Sequence, residues 1–234
     1  MPKAKREKTA LFQNPKGMPD ILPRDQAWWK NLLAVTNEVV SLYDFSFIET
    51  PILESAGLLA APLGATSDVV EKQMFVLKTK SGDRLALRPE GTAGVVRAYL
   101  EHRLGYYAQP LKVYYAGPMF RYEQPQAGRF RQFHQIGFEI VGDNDPVYDL
   151  QILLAVLRFL KLLKITNLNL KINSIGCRVC RPNYRKKLQD YYRRSRVKDS
   201  LCEDCKRRLE LNPLRLLDCK NHKCIELKKQ APNI

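Results

Sequence analysis

The sequence has no apolar run near the roughly 20 residues that a helix needs to span a bilayer. Its first eight residues, Met1 to Lys8, are charged and no apolar stretch follows them, so we expect no secretory signal. It also lacks internal repeats and low-complexity tracts. These absences argue against a membrane-embedded or exported protein and favour a cytoplasmic, globular one without a membrane partner.

Acidic residues are in short supply, and the shortage is uneven along the chain. The sequence has 39 Lys and Arg but 24 Asp and Glu, a formal net charge of +15. Residues 171–234 alone hold 18 Lys and Arg against seven Asp and Glu, a net of +11. A basic lobe of this kind suits a nucleic-acid partner, because phosphate contacts release counterions. A solvated helical face would explain the charge equally well.

With 234 residues and 45% hydrophobic composition, the chain can bury a core, as one domain plus an appendage. Helical periodicity and capping signals predict helices over residues 25–43, 92–100 and 146–160. Alternation and turn signals predict strands over residues 45–50, 74–80, 84–88, 111–123, 129–141 and 168–173. Because hairpins are mixed with helices, the order predicts an α+β fold around an antiparallel sheet flanked by helices.

Local details of these elements are also predicted. Thr92 is expected to cap its helix, and Pro118 to cause a bulge or leave an unpaired amide in its strand. The first helix should bury one apolar stripe, formed by Trp28, Leu32, Val35, Val39 and Leu42.

The predicted strand 129–141 has two unlike faces. The even-numbered face is mostly apolar and is expected to face the core, with His134 as a buried, satisfied histidine. The other face presents Arg129, Arg131, Phe133, Gln135, Gly137 and Glu139. Together with Arg121 and Glu123 of the preceding strand, it suits a phosphate-bearing ligand with a flat base and a cationic amine. The alternative is simple Arg–Glu pairing across an exposed sheet.

Six cysteines without an export signal indicate a reducing compartment, where thiols bind metal or stay free. Two C-x2-C pairs, Cys177/Cys180 and Cys202/Cys205, have spacing that suits tetrahedral zinc, and we predict these four as ligands of a structural Zn²⁺. Cys219, His222 and Cys224 follow closely as further candidates. Free, reduced cysteines on a helical hairpin are the alternative.

Four stretches of the sequence resemble known motifs. Phe120-Arg121-Tyr122-Glu123, followed by Arg129, Phe133 and Glu139, resembles motif 2 of the class II aminoacyl-tRNA synthetases. Two stretches resemble sequences specific to the histidine enzymes of this class: residues 87–94, LRPEGTAG, and residues 131–135, RQFHQ. Residues 43–51 resemble motif 1, which in this family forms the dimer interface. The resemblance runs from about Gly17 to the end of the chain.

The resemblance implies a histidine–tRNA ligase activity with ATP and L-histidine as substrates, Mg²⁺ on the phosphates, tRNA(His) as partner and a homodimer as assembly. For ATP it implies that Arg121 holds the α-phosphate as the catalytic residue. Arg129 would reach the γ-phosphate, Phe133 would stack on adenine, and Glu123 would accept from the adenine amino group. Arg131 would belong to the same ATP-binding set.

For the amino acid, the resemblance implies that Glu90, Gly91, Thr92 and Gln135 surround the α-ammonium group. Glu139 would read the imidazole. Glu90 also has a purely local interpretation as a capping carboxylate at a helix start.

We expect three segments. The residues themselves indicate a flexible basic tail over residues 1–16 and a basic Cys-rich segment over 177–234, and the resemblance implies a partial class II catalytic core over 17–176. The sequence shows no motif 3, no second histidine-specific motif and no anticodon-binding domain, so we expect either a fragment or a half that needs a partner. Two other functions stay open. One is the synthetase-like regulatory subunit of ATP phosphoribosyltransferase, and the other is an RNA-binding module.

Overall fold

The computed structural model describes residues 12–61, 73–174 and 176–232. The chain divides into two compact units, Met1–Asn167 and Leu168–Ile234. The sequence placed this boundary after residue 176, and most of the predicted basic tail, residues 1–11, lies outside the described residues. In the described ranges no helix is long and apolar enough to cross a membrane.

The first unit mixes short strands with helices. Its described strands are β1 (Ser46–Phe47), β2 (Leu53–Ser55), β3 (Val76–Lys78), β4 (Arg84–Leu87), β5 (Leu111–Phe120) and β6 (Gln132–Val141). Its described α-helices are α1 (Gln26–Tyr43), α2 (Ala56–Ala60), α3 (Thr92–Glu101) and α4 (Pro146–Leu162), and 3₁₀ turns occur at Pro23–Asp25 and Leu104–Tyr106. The predicted α+β class is confirmed.

The main sheet has the order β1-β5-β6. Strands β5 and β6 are antiparallel in one unbroken register, from Leu111 opposite Val141 to Phe120 opposite Gln132. Strand β1 is parallel to β5 and is shorter than predicted. Both long strands also end earlier than predicted at their shared turn, because residues 121–131 form a loop closed by the isolated bridge between Gln126 and Arg129.

Pro118 does not cause the predicted bulge. It stands opposite His134 within the unbroken register. Its carbonyl accepts a hydrogen bond from Nε of Arg88 at 3.1 Å, and the N–H of Phe120 donates to the carbonyl of Arg88 at 3.0 Å. The backbone N–H and carbonyl groups at these positions of β5 therefore point toward Arg88 and away from β6. The N–H that proline lacks would not have bonded to β6, so the pairing of the two strands is intact.

One face of the β5–β6 pair is covered by α1 and α4. A buried cluster lies beneath these helices, and the ring of Phe138 of β6 packs against it. Its buried members are Val39 and Val40 of α1, Ala155 of α4, and Phe45, which follows α1. The even-numbered residues of β6 thus face a core, as the alternation predicted. Strand pairing and helix burial are coupled here, since a one-residue slip would turn Phe138 away from the helices.

His134 is on the predicted face but is not buried. Its ring makes an edge contact with Trp29, with centroids 4.6 Å apart. It is exposed because it borders an open groove of about 490 Å³ that is lined by both α1 and sheet residues. The expectation of a buried histidine was therefore wrong.

The buried stripe of α1 differs from the predicted one at its ends. Trp28 and Leu42 are exposed, whereas Trp29 takes the inward position at the start of the helix. Thr36 is fully buried in mid-helix, and its hydroxyl donates to the carbonyl of Leu32 at 2.7 Å. A search for apolar side chains misses such a residue, because the local hydrogen bond satisfies its polar group.

A second small sheet has the order β2-β4-β3, and both of its pairs are antiparallel. The predicted hairpin is confirmed as β3 and β4. Its turn is closed by the N–H of Thr79, which donates to the carbonyl of Asp83 at 2.9 Å. Ala86 of β4 is completely buried with Leu59 and Ala93, which joins this sheet to α2 and α3.

The second unit is helical in its described part. Its helices are α5 (Cys180–Tyr192), α6 (Ser195–Asp199), α7 (Glu203–Leu211) and α8 (His222–Lys229), with a 3₁₀ helix at Pro213–Asp218. The core of this unit gathers Leu188, Tyr192, Leu209 and Leu216 together with buried cysteines.

The strand predicted over residues 168–173 does not form. Leu168, Leu170 and Ile172 are exposed, and no strand is assigned within the described residues of the second unit. The alternating sequence is present, but a strand needs a hydrogen-bonding partner, and the prediction was wrong for that reason.

Candidate functional site

The odd-numbered face of β6 lies in the first unit and carries the predicted ligand-binding residues in one row. From Phe133 to Glu139 this row is about 20 Å long at the usual rise of a strand. On β5, Met119 stands opposite Phe133, and Val113 stands opposite Glu139. The helix α3 contributes Val95 to the cluster beside this row. The row is therefore supported by packed residues of β5 and α3, and its two ends carry different polar groups.

At one end Arg121 is held over the ring of Phe133. The centre of the guanidinium lies 5.2 Å from the ring centroid. Nε of Arg121 donates to the carbonyl of Pro89 at 3.0 Å. A cation stacked on an aromatic ring and anchored through Nε keeps its other nitrogens available for an anion.

The loop between β5 and β6 holds the other predicted cations. Arg129 pairs with Glu123 at 2.9 Å, with 54% of the arginine side chain and 13% of the glutamate side chain exposed. Arg131 lies 4.0 Å from the ring centroid of Tyr122, and its Nε donates to the carbonyl of Glu123 at 3.1 Å. The predicted alternative, Arg–Glu pairing, is thus present. Such half-exposed pairs are worth about 0–1 kcal/mol, so a phosphate could recruit Arg129 at little cost.

The start of α3 is capped by Glu90 rather than Thr92. The carboxylate of Glu90 accepts from the N–H of Thr92 at 2.7 Å and from the N–H of Ala93 at 3.0 Å. Gly91 occupies the N-cap position. The expected capping role of Thr92 was wrong, because its hydroxyl donates instead to Oε1 of Glu139 at 2.7 Å.

The other end of the row is a cluster around Glu139. Besides Thr92, the hydroxyl of Tyr115 approaches Oε1 of Glu139 at 3.5 Å. Nε2 of Gln135 donates to the same tyrosine hydroxyl at 3.4 Å. The other amide atom, Oε1 of Gln135, is buried and has no hydrogen-bond partner among the described residues. A buried acceptor without a partner, on a side chain that reaches the same tyrosine hydroxyl as a carboxylate, indicates a place for a donor ligand.

Burial raises the pKa of the Glu139 carboxyl, the hydrogen bond from Thr92 opposes the rise, and the nearby charge of Glu90 adds to it. Burial, with the charges of Glu139 and Glu90, also raises the pKa of Tyr115 to about 12. Tyr115 therefore remains a neutral hydroxyl near pH 7. A desolvated carboxylate beside a second carboxylate is relieved by a cationic ligand.

Tyr115 was missed as a site residue. Its ring lies against Gly91 and Gly137, and a side chain on either glycine would overlap it. The signal was present in the sequence as two glycines among predicted site residues, because glycine often marks close approach of another group. Which aromatic ring fills the space is a matter of tertiary packing.

Arg88 was also missed. It is only 6% exposed, and its Nη1 donates to the carbonyl of Thr50 at 2.6 Å. Together with its bond to Pro118, this links the segment after β1 to β5. The residue positions the site rather than lining it.

The cysteines of the second unit group differently from the prediction. The Sγ atoms of Cys202, Cys205, Cys219 and Cys224 all lie within 4.8 Å of one another. Cys177 and Cys180 form a separate, exposed pair with their sulfurs 3.5 Å apart. The cluster therefore contains the predicted pair Cys202/Cys205 but not the predicted pair Cys177/Cys180, and its other two members are Cys219 and Cys224.

Known proteins with similar sequences belong to one family. The family model for histidyl-tRNA synthetase matches residues 17–179. Histidine–tRNA ligase of Geobacter sulfurreducens is 50% identical over 219 residues, which are 93% of this chain and 52% of that protein. The enzyme of Dehalococcoides mccartyi is 46% identical over 222 residues, which are 95% of this chain and 53% of that protein. The chain thus spans about half the length of these relatives.

Solved structures extend the comparison. Apo histidyl-tRNA synthetase of S. aureus aligns with a TM-score of 0.71 at 34% identity, over 94% of this chain and 54% of that one. A Bacillus halodurans protein described as an ATP phosphoribosyltransferase regulatory subunit/histidyl-tRNA synthetase has a TM-score of 0.62 at 24% identity, over 98% of this chain and 61% of that one, and shows the shared fold alone. Motifs, fold and relatives agree, and the chain belongs to the histidyl-tRNA synthetase family.

Proposed function

We propose that this chain forms the ATP- and histidine-binding part of a histidine–tRNA ligase, which activates L-histidine with ATP and passes it to tRNA(His). The observation that carries the proposal is the row along β6. It has an anchored guanidinium over an aromatic ring at one end and a desolvated carboxylate cluster at the other. The guanidinium end suits the phosphates of a nucleotide, and the carboxylate end suits the positive charge of an amino acid placed next to it.

In the proposed first step, a carboxylate oxygen of histidine attacks the α-phosphorus of ATP. A P–O bond to histidine forms, the P–O bond to the β-phosphate breaks, and pyrophosphate leaves with that electron pair. The carboxylate is already a nucleophile, so the protein supplies position and neutralises charge. In the second step a hydroxyl of the terminal ribose of the tRNA attacks the carbonyl carbon of the histidyl-adenylate. A C–O bond to the ribose forms, the bond from the acyl carbon to the phosphate oxygen breaks, AMP leaves with that electron pair, and the hydroxyl proton is released.

For ATP, we assign Arg121 to the α-phosphate, where negative charge builds up during attack. Its bond to Pro89 and its stacking on Phe133 hold the guanidinium in place before the ligand arrives. We assign Phe133 also to adenine stacking and Glu123 to the adenine amino group. Arg129 would leave its weak pair with Glu123 for the γ-phosphate, with Arg131 beside it.

Magnesium is implied by the family rather than by these residues. In the described ranges the four clustered cysteines are the one group of three or more potential metal-binding side chains, so the nucleotide end has no carboxylate cage. Mg²⁺ usually binds through one or two carboxylates plus substrate phosphates and water. We therefore propose that the ATP phosphates would hold Mg²⁺, which would supply charge neutralisation there.

For histidine, we assign Glu139 to the imidazole and Glu90, Thr92 and Gln135 to the α-ammonium group. The unpartnered Oε1 of Gln135 supports this, since an ammonium would satisfy it. Glu90 already caps α3 with two hydrogen bonds, and a carboxylate has further lone pairs for a ligand. Gly91 would contribute space rather than a side chain, because it lies against Tyr115.

The proposal includes two macromolecular partners. The excess positive charge of residues 171–234 supports a contact of the second unit with tRNA phosphates. Phe47 of β1 lies in the stretch that resembles motif 1, residues 43–51, and its side chain and that of the adjoining Leu42 of α1 are exposed, which supports a homodimer built on this region.

The regulatory-subunit alternative is less favoured. A subunit that only binds an effector has no need for residues that bind ATP. Arg121, Glu123 and Arg129 are nevertheless all present, with Arg121 anchored to Pro89 and Glu123 paired with Arg129. A pure RNA-binding module would leave the polar row on β6 without a use.

Histidine-dependent exchange of pyrophosphate into ATP tests the proposed function. We would assay this chain joined to the remaining carboxyl-terminal half of the Geobacter sulfurreducens relative, and the unjoined chain beside it. We expect exchange with histidine and none with other amino acids in the joined protein. A folded joined protein that binds ATP but shows no histidine-dependent exchange would contradict the proposal.

Glu139→Gln should separate the two ends of the row. It keeps the side-chain volume but removes the charge, so we expect histidine affinity to fall about 10- to 100-fold, as for the loss of a charged hydrogen bond. ATP affinity should change by less than about twofold. Calorimetric titration of the chain with each ligand measures both, and Glu101→Gln, an exposed carboxylate paired with Arg97, serves as control. Equal losses for both ligands would mean a misfolded strand.

A further inference from the structure

The strongest unassigned feature lies in the second unit, where four sulfur atoms converge. The Sγ atoms of Cys202, Cys205, Cys219 and Cys224 all lie within 4.8 Å of one another, and those of Cys202 and Cys219 are 3.8 Å apart. In a tetrahedral Zn²⁺ site with Zn–S bonds of about 2.3 Å, sulfurs are about 3.8 Å apart. The cluster is therefore close to the size of a closed zinc site.

The four sulfurs are delivered by the ends of short elements. Cys202 is the N-cap of α7, and Cys205 lies one turn later in the same helix. Cys219 follows the 3₁₀ helix, and Cys224 lies in the first turn of α8. Two helix N-termini thus meet at the cluster, and their N–H groups favour negative charge.

Backbone amides already point at two of the sulfurs. The N–H of Cys202 donates to Sγ of Cys224 at 3.4 Å, and the N–H of Asn221 donates to Sγ of Cys219 at 3.4 Å. Hydrogen bonds of this kind orient thiolate ligands and stabilise their charge in metal sites. Packing alone does not require them, because a thiol is a weak acceptor.

We propose that Cys202, Cys205, Cys219 and Cys224 bind one Zn²⁺ as four thiolates, in a structural site that closes the core of the second unit. Each thiol gives up its proton to solvent as it binds. All four positions of the metal are filled by protein, which leaves none for a substrate. The soft sulfur set excludes Mg²⁺ and Ca²⁺ as occupants.

The location explains what the metal would do. Cys205 is 0% exposed and Cys224 is 2% exposed, and both belong to the same core cluster as Leu188, Tyr192 and Leu209. The unit comprises residues 168–234, a size at which a hydrophobic core alone gives little stability. Metal binding would couple directly to the folding of this unit.

Cys177 and Cys180 are excluded from the site. They are exposed and contact each other, with the N–H of Cys177 donating to Sγ of Cys180 at 3.0 Å. The set predicted from the two C-x2-C pairs is thus replaced by one C-x2-C pair plus a C-x4-C pair. This difference supplies an internal control for the experiment.

Metal content and thiol counting on the full, untagged chain test the proposal without any mutation. After expression in zinc-supplemented medium and purification under reducing conditions, we expect about one zinc per chain by elemental analysis. Of the six cysteines, two should react quickly with a thiol reagent in the native protein, and a strong chelator should add the cluster thiols. Less than about 0.1 zinc per chain, iron in its place, or reactivity unchanged by chelator would overturn the proposal.

Substitutions then decide between the two sets of cysteines. Cys219→Ser removes a half-buried ligand outside the helices and should weaken zinc binding at least about 100-fold, more than loss of an outer partner does. The double variant Cys177→Ser/Cys180→Ser should keep its zinc. Equal zinc loss in both variants would contradict the assignment.

Hydrogen exchange gives a second readout that does not depend on how well a variant folds. Removing zinc from the unmodified chain should speed amide exchange in α7 and α8 and leave α1 and α4 unchanged. Equal acceleration throughout the chain, or none, would mean that the metal does not close the core of the second unit.

Discussion

Arg121→Ala should lower histidine-dependent pyrophosphate exchange by about 10²–10³-fold, because one donor to a developing charge contributes roughly 3–4 kcal/mol. The side chain is anchored at Pro89 and stacked on Phe133, so its loss removes a donor that is in place before the reaction. Arg121→Lys should recover only a small part, because an ammonium cannot present two parallel N–H groups to phosphate oxygens. The joined protein described above is the one to assay.

Arg158→Ala is a suitable control for the Arg121 variants. Arg158 lies on α4 and pairs with Glu38 of α1 at 3.2 Å, on an exposed part of the same unit. The Arg158→Ala substitution also removes one arginine from the first unit, but it should leave the rate of pyrophosphate exchange unchanged. Near-normal exchange in Arg121→Ala, with intact ATP binding, would remove Arg121 from the reaction.

Arg88→Ala should destabilise the first unit by about 2–5 kcal/mol. The substitution leaves the buried carbonyl of Thr50 and the partly buried carbonyl of Pro118 without the donor that each has now, and each such loss costs about 1–3 kcal/mol. It also empties a buried volume next to Gly117, where Nη2 of Arg88 lies 2.7 Å from the position of an added Cβ. We expect a drop in melting temperature on the order of 10 °C.

Tryptophan fluorescence during urea unfolding measures this loss in the unit concerned, because both tryptophans of the chain, Trp28 and Trp29, lie in α1. Arg84→Ala is the matched control, because Arg84 begins β4, the strand that ends directly before Arg88, and is exposed. The stability of Arg88→Lys should lie between those of Arg88→Ala and Arg84→Ala, since one ammonium group can reach fewer of the carbonyls than the guanidinium does. Equal stability of Arg88→Ala and Arg84→Ala would show that the buried guanidinium contributes nothing.

The parts of the fold that depend on local rules were readable from the sequence. Period-two alternation assigned the faces of β6 correctly, and Asp145-Pro146 marked the start of α4, where the Asp145 carboxylate accepts from the N–H of Val147 at 2.9 Å. The β3–β4 hairpin follows from its turn residues. The same alternation placed the residues from Phe133 to Glu139 in one row on one face. These features need only neighbouring residues, so a linear sequence contains the information.

Other features were decided by contacts between distant segments. Thr92 does not cap α3, because its hydroxyl donates to Glu139, 47 positions away. Residues 168–173 alternate as a strand should, yet no strand forms there in the described residues, because pairing requires a second chain segment.

The cysteines show the same division most clearly. The sequence by itself determined that thiols are abundant and suitably spaced for a metal, and that the segment is basic. Only the tertiary structure decided that Cys202 and Cys205 meet Cys219 and Cys224 rather than Cys177 and Cys180. The physical reason is that spacing within a pair is set by a single turn of backbone, whereas the choice between pairs depends on how α7, the 3₁₀ helix and α8 pack around one core.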